Sequence, residues 1–202
     1  MNHYTAGYIV GSLARDSINR KLAATLVRCA PDELRMVEIP INELPLYNRD
    51  LDDDFPPPAN ALKHAIASLD AVLFITPEYN RCIPASLKNA IDWASRPWGA
   101  NSFTAKPTAI AGASPSRLGT ALAQQSLRSI LQSCGAQQLP GPEVHINFTP
   151  SLINNDGVLT EPSIEKHLRT FMHTFADFIA AATPPAGTDA TPRINQPAHN
   201  AQ

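Results

Sequence analysis

Apolar residues along this chain fall alternately into runs of strand length and stretches of helical spacing, the pattern of repeated βαβ units around a parallel sheet. Tyr4 to Val10 predicts a first strand, and Ser17 to Cys29 a helix with Ile18, Leu22, Leu26 and Val27 on one face. Leu34 to Ile39 predicts a second strand. The stretch from Asn42 to Pro58 is polar, proline-rich and irregular, and helical spacing resumes from Asn60 to Ser68. Ala71 to Thr76 is nearly all apolar, as a central strand covered on both faces should be. Pro84 to Ala94 predicts a helix, because proline is tolerated at a first helical position and Leu87, Ile91 and Ala94 share a face. Thr108 to Ala113 predicts the fourth strand, Thr120 to Cys134 a helix, Glu143 to Ile146 the fifth strand, and Pro162 to Ala182 a closing helix. The expected class is α/β, a five-stranded parallel sheet with helices on both faces.

Length fits this to one domain, since 202 residues bury roughly two-thirds or more of the unfolded chain's surface. The domain is expected to span residues 1–183. The remainder, 184–202, is rich in proline and small polar residues without a periodic apolar face, and is expected to be disordered. With 44% hydrophobic residues and a net charge of −2, neither wholesale disorder nor a broadly basic nucleic-acid surface is indicated. The three cysteines, Cys29, Cys82 and Cys134, are too scattered for a disulfide framework or a CxxC motif. The six histidines show no metal-ligand spacing. No apolar run approaches transmembrane length, and the first residues lack a signal-peptide pattern, so a cytoplasmic protein is expected.

In an open parallel sheet, ligands bind beyond the carboxyl ends of the strands, where the connections reverse. Three loops qualify: Gly11 to Asn19, Pro77 to Cys82, and Ala113 to Gly119. The first, GSLARDSIN, offers the Ser12 and Ser17 hydroxyls, Asn19, the Arg15 guanidinium and the amides of a helix N-terminus, which together suit a phosphate. Ser17 serves equally well as a simple helix cap. The loop matches neither GxxxxGK[ST] nor GxGxxG, so a monophosphate fits better than a nucleoside triphosphate or the dinucleotide fingerprint. The second loop has a flat, partly apolar wall in Pro77 and Tyr79, or is an ordinary strand-to-helix turn. The third, GASPSRLG, contributes Ser114, Ser116, Arg117 and Gly119, and it lacks the GxSxG of a hydrolase nucleophile. Trp93 and Trp98 are expected in the core or a subunit interface. Lys88 and Asp92 form an i,i+4 surface pair in the less favourable order.

The stretches GSLARDSIN and TPEYN followed by IPASLKNAIDWASRP resemble the NADPH-dependent FMN reductase family, whose members include quinone, chromate and azo-dye reductases. The likeness in strand pattern and motif spacing extends over residues 4 to about 182. It implies a flavodoxin-like fold with strand order 2-1-3-4-5 and bound FMN. On that resemblance Ser12, Arg15, Ser17, Ile18 and Asn19 hold the FMN phosphate. Pro77, Glu78, Tyr79 and Asn80 line the isoalloxazine, and Ser114 and its neighbours to Gly119, Arg117 included, contact the flavin or its ribityl chain. Many members of that family carry arginine where Ala14 stands here; Arg15 follows one residue later, which leaves it two orientations, toward the phosphate or into solvent.

The resemblance implies an oxidoreductase that moves hydride from NADPH or NADH through FMN to quinones, related aromatic acceptors or metal oxyanions such as chromate. It also implies a homodimer or homotetramer. No side-chain acid or base is required, because the flavin carries the hard chemistry. Arg81 and Arg117 are the residues available to the 2′-phosphate of NADPH. The alternative is a flavodoxin-like carrier passing single electrons to a protein partner. Such carriers tend to be strongly acidic, and this chain is near neutral. A flavin-free binding protein on the same scaffold is the third reading.

Overall fold

The computed structural model describes residues 2–154 and 158–183. The proline-rich stretch expected to be disordered lies outside them. In chain order the elements are β1 (Tyr4–Val10), α1 (Ile18–Cys29), β2 (Leu34–Glu38), α2 (Pro57–Ala67), β3 (Ala71–Ile75), α3 (Ala85–Ala94), β4 (Pro107–Ser114), α4 (Ala121–Ser133), β5 (Gln137–Gln138), β6 (Val144–Asn147) and α5 (Pro162–Ala182). All strand pairs are parallel in the order β2-β1-β3-β4-β5, with β6 also on β4. This is the doubly wound order that the family resemblance implies, with a sixth strand added.

The addition is a split edge. Gln137–Gln138 pairs the start of β4, Val144–Asn147 pairs its end, and the Leu139 amide donates to the Thr108 carbonyl at 2.8 Å. Pro140 and Pro142 stand between the two pieces. Neither has an N–H to give, so the ladder breaks there and the outermost strand forms in two segments. Helix α2 begins at Pro57, three residues ahead of its expected start at Asn60, because prolines fit a first helical turn whose amides have no partner anyway.

Alternate side chains of the sheet serve two cores. Ala71, Leu73 and Ile75 of β3 join Leu22 and Leu26 of α1 and Phe171 and Phe175 of α5 on one face. Val72 and Phe74 join Leu62 of α2, Leu87 and Trp93 of α3, and Leu127 of α4 on the other. The irregular stretch after β2 folds over α3: Trp93 donates its indole N–H to the Pro45 carbonyl at 2.7 Å and meets Tyr47 and Phe55 edge to face at 5.1 and 5.0 Å. Trp93 is therefore core, whereas Trp98 is 90% exposed. Lys88 and Asp92 pair on the α3 surface at 2.7 Å.

With α1 on one face and α2, α3 and α4 on the other, the connections reverse between β1 and β3. The loops after β1, β3 and β4 meet at that reversal, at the carboxyl ends of their strands.

Candidate functional site

The three loops enclose a cleft of about 220 Å³ lined by Ser12, Ala14, Asp16, Ser17, Ile18 and Asn19 from the first, Pro77, Glu78 and Tyr79 from the second, and Ala113, Ser114 and Pro115 from the third. Eight of the expected site residues thus share one wall system: Ser12, Ser17, Ile18, Asn19, Pro77, Glu78, Tyr79 and Ser114. Arg15, Asn80 and Arg117 are exposed on the same loops without lining the cleft, and Gly119 is buried behind the third. Asp16 lines the cleft and was not among the expected residues; its carboxylate is of the wrong sign for a phosphate site, so no sequence signal pointed to it.

At one end the cleft is built for an anion. Ser17 is the N-cap of α1, its hydroxyl accepting from the Arg20 amide at 3.3 Å. The Ile18 and Asn19 amides that open the helix have no intrahelical acceptor, and the helix dipole adds partial positive charge there. Ser12 and Ser17 are buried hydroxyls lining the same wall. Buried hydroxyls and free amides beside a helix N-terminus fit a phosphate dianion.

Asn19 has a role that sequence spacing alone does not reveal. Its side-chain amide donates to the Ala113 carbonyl and its carbonyl accepts from the Ala113 amide, both at 2.9 Å, across 94 residues of chain. The side chain locks the first loop to the third. Its backbone amide remains the group available to a phosphate. Ser86 at the start of α3 similarly ties the Gly11 carbonyl at 2.6 Å.

Glu78 is also committed. Its carboxylate accepts from the Leu122 and Ala123 amides at 3.0 Å each, capping α4, whose own N-cap Thr120 makes no side-chain cap bond. The negative charge therefore sits on a helix N-terminus, where it is compensated. With its carboxylate held at the helix, Glu78 has its backbone left for the cleft.

The rest of the second loop is a two-residue hairpin. Tyr79 and Cys82 exchange amide-to-carbonyl bonds at 3.0 Å in both directions, and Asn80 and Arg81 have φ of 52° and 64°. Positive φ at both central positions is the type I′ turn, for which Asn-Gly is the least strained pair. The hairpin leaves the Tyr79 ring half exposed at the cleft. The third loop is pinned from β6: the Asn147 amide donates to the Pro115 and Ser116 carbonyls at 3.0 and 2.9 Å. Ser114 donates to the Gly119 carbonyl and accepts from the Ser116 amide. Gly119 has φ of 58°, and a Cβ there would meet the His145 carbonyl carbon at 2.8 Å, so only glycine closes this turn.

One end of the cleft thus fits a phosphate, and Pro77 and Tyr79 fit a flat ring farther along. Among the described residues no three His, Cys, Asp or Glu side chains gather as a metal site would. No helix among them is long and apolar enough to cross a membrane.

A model of the NADPH-dependent FMN reductase family matches residues 5–150, which contain all three loops. The chain belongs to that family. It is 43% identical over 171 residues to a 2-hydroxy-1,4-benzoquinone reductase of a Burkholderia species, covering 85% of this chain and 93% of that protein. A quinone reductase of Pseudomonas putida is 38% identical over 179 residues, covering 88% and 94% of the two chains. Among solved structures, the flavoenzyme FerB of Paracoccus denitrificans, an NAD(P)H:(acceptor) oxidoreductase, superposes with a TM-score of 0.85 at 42% identity, covering 89% of this chain and 98% of that one. The protein is accordingly a flavodoxin-like, NAD(P)H-dependent FMN oxidoreductase that needs an electron acceptor.

Proposed function

We propose that this FMN reductase passes electrons from NADPH or NADH to quinones and related aromatic acceptors, and to metal oxyanions such as chromate. The observation that carries the reading is a single cleft with an anion-binding helix N-terminus at one end and an open apolar wall, Pro77 and Tyr79, at the other. The names of similar proteins, quinone reductases, support the acceptor class.

The residues divide the work. Ser12, Ser17 and the amides of Ile18 and Asn19 would hold the FMN phosphate. Pro77, the Glu78 backbone, Tyr79 and Asn80 would lie along the ring, and Ser114 and Pro115 would close the ribityl side. When bound, FMN supplies the two-electron redox chemistry. The protein's part is to fix the loops so that nicotinamide and acceptor take the same exposed face in turn. The ties from Asn19, Ser86, Glu78 and Asn147 do this by holding each loop to a neighbouring element. No side chain is asked to donate or remove a proton at the reacting atoms.

We assign the protein to the cytoplasm and to a homodimer or homotetramer; its free cysteines, with Cys82 exposed, agree with a reducing compartment. The test is the visible spectrum of the purified protein with FMN, followed by anaerobic NADPH and then a quinone. Flavin absorbance that bleaches with nucleotide and returns with quinone is expected. Bound flavin that neither NADPH nor NADH bleaches would point to the one-electron carrier, and a protein that retains no flavin would overturn the reading.

A further inference from the structure

Each of the three site loops presents one arginine and one large exposed apolar side chain. Arg15 follows Leu13, which is 53% exposed; Arg81 follows Tyr79, 51% exposed; and Arg117 precedes Leu118, 62% exposed. These account for three of the seven large hydrophobic side chains that are exposed among the described residues, although the loops are a small part of the chain. The four ion pairs among those residues include none of the three arginines. The loops' two acids do not cancel three arginines, since Glu78 is directed to the α4 N-terminus, whose dipole partly compensates it, and Asp16 is the other. On a chain with net charge −2, the three loops that build the cleft therefore carry a local excess of positive charge.

Arg81 occupies the position of the hairpin where glycine is the least strained choice, at φ of 64°. A left-handed backbone costs an L residue free energy, and such strain at a ligand cleft motivates a functional hypothesis. Arg15 lies on the loop whose helix N-terminus fits the FMN phosphate, which leaves Arg81 and Arg117 for whatever enters afterwards.

We propose that Arg81 and Arg117, with Tyr79 and Leu118, form an anion-selective rim that favours flat aromatic ligands carrying an ionised group over neutral ones of the same shape. The inference rests on the proposed function for the site it borders. The apolar side chains cover the ring, and the guanidiniums meet the charge. The ionised group has two sources: the acceptor itself, as in a hydroxyquinone or an aromatic carboxylate, or the ribose phosphate that separates NADPH from NADH.

The test compares the wild type with Arg81→Gly plus Arg117→Ala, glycine being chosen because it suits the hairpin's φ. Steady-state kcat/KM is measured for a hydroxynaphthoquinone, ionised at neutral pH, against neutral naphthoquinone, and for NADPH against NADH. Calorimetry separately gives the equilibrium dissociation constant of the hydroxynaphthoquinone. Exposed charge pairs are individually modest, so the double variant should reduce the ionised-to-neutral acceptor ratio by roughly tenfold and weaken direct binding to match. Arg81→Lys with Arg117→Lys should restore most of the preference. Raising salt from about 0.01 M to about 1 M, which shortens screening from ~30 to ~3 Å, should erase it in the wild type. A loss confined to NADPH, with the acceptor ratio unchanged, would uphold the rim and assign the anion to the nucleotide. Unchanged ratios for both pairs would overturn it. Flavin content and the NADH-to-naphthoquinone rate report on the reductase reading, and a wild type lacking both would sink that reading while the calorimetric comparison still decides the rim.

Discussion

The phosphate end of the cleft and its outer rim are made of different materials. At the phosphate end, Ser12, Ser17 and Asn19 are buried, and Asn19 is bound at both polar atoms to the opposite loop. At the rim, Arg81, Arg117 and Leu118 are exposed, and Arg81 holds a left-handed backbone there. An invariant group such as a phosphate is best met by groups that are already fixed, because ordering costs are met on folding rather than on binding. A varied set of acceptors is better met by side chains that cost little to exchange. The contrast predicts that substitutions at the first end damage folding and cofactor retention together, whereas those at the rim change selectivity with little effect on the fold.

The largest effect should come from Asn19→Leu. It orphans the amide and carbonyl of Ala113 in a buried setting, and each unsatisfied group costs about 1–3 kcal/mol, so a loss of about 2–6 kcal/mol in urea unfolding is expected. FMN affinity should fall with it, since the first and third loops are no longer held together. Retained stability and retained flavin would show that the tie is incidental.

Glu78→Ala comes next. Removing the carboxylate leaves the Leu122 and Ala123 amides without their acceptor, and a lost helix cap costs about 1 kcal/mol. Glu78→Gln keeps an acceptor oxygen but not the charge, and should retain roughly half of that contribution. If alanine and glutamine melt alike, charge on the helix dipole is the larger part of the interaction.

Ser17→Ala separates the two roles open to that hydroxyl. A cap alone would cost about 1 kcal/mol and leave FMN binding intact. A hydroxyl that also holds the phosphate adds a charge-assisted bond, and the FMN dissociation constant should rise roughly tenfold. The second outcome is expected, and equilibrium titration of the stripped protein measures it.

The same division governs what could be read from the chain. The all-apolar AVLFI of β3 announces a strand buried on both faces, and the paired motifs after β1 and β3 place the cleft. The two-residue β5 has no hydrophobic period to detect, and the prolines that split it from β6 act on a ladder visible only once β4 is beside them. Ser12 and Ser17 are legible because capping and phosphate binding are local. The side-chain ties of Asn19 and Glu78 reach across 94 and up to 45 residues, and nothing in spacing along the chain encodes which distant amide each will meet. Both residues were expected at the flavin by resemblance. Their side chains hold loops, which leaves their backbones for the cleft.

The smallest expected effect sharpens the comparison most, because its stability sign is opposite to the others. Arg81→Gly removes a left-handed L residue from the hairpin, relieving about 1 kcal/mol. Glycine's added freedom in the unfolded chain offsets about half of that. The net, about 0.5 kcal/mol, should raise Tm by roughly 1–2 °C for a domain of this size. Asn80 keeps its own positive φ, and the Tyr79–Cys82 bonds are backbone, so the turn has no need of the arginine to form. A variant that is slightly more stable and less able to prefer an ionised acceptor would show strain maintained at the rim for recognition. A variant that loses stability would mean that the guanidinium itself holds the hairpin, and the rim would then belong with the anchored end.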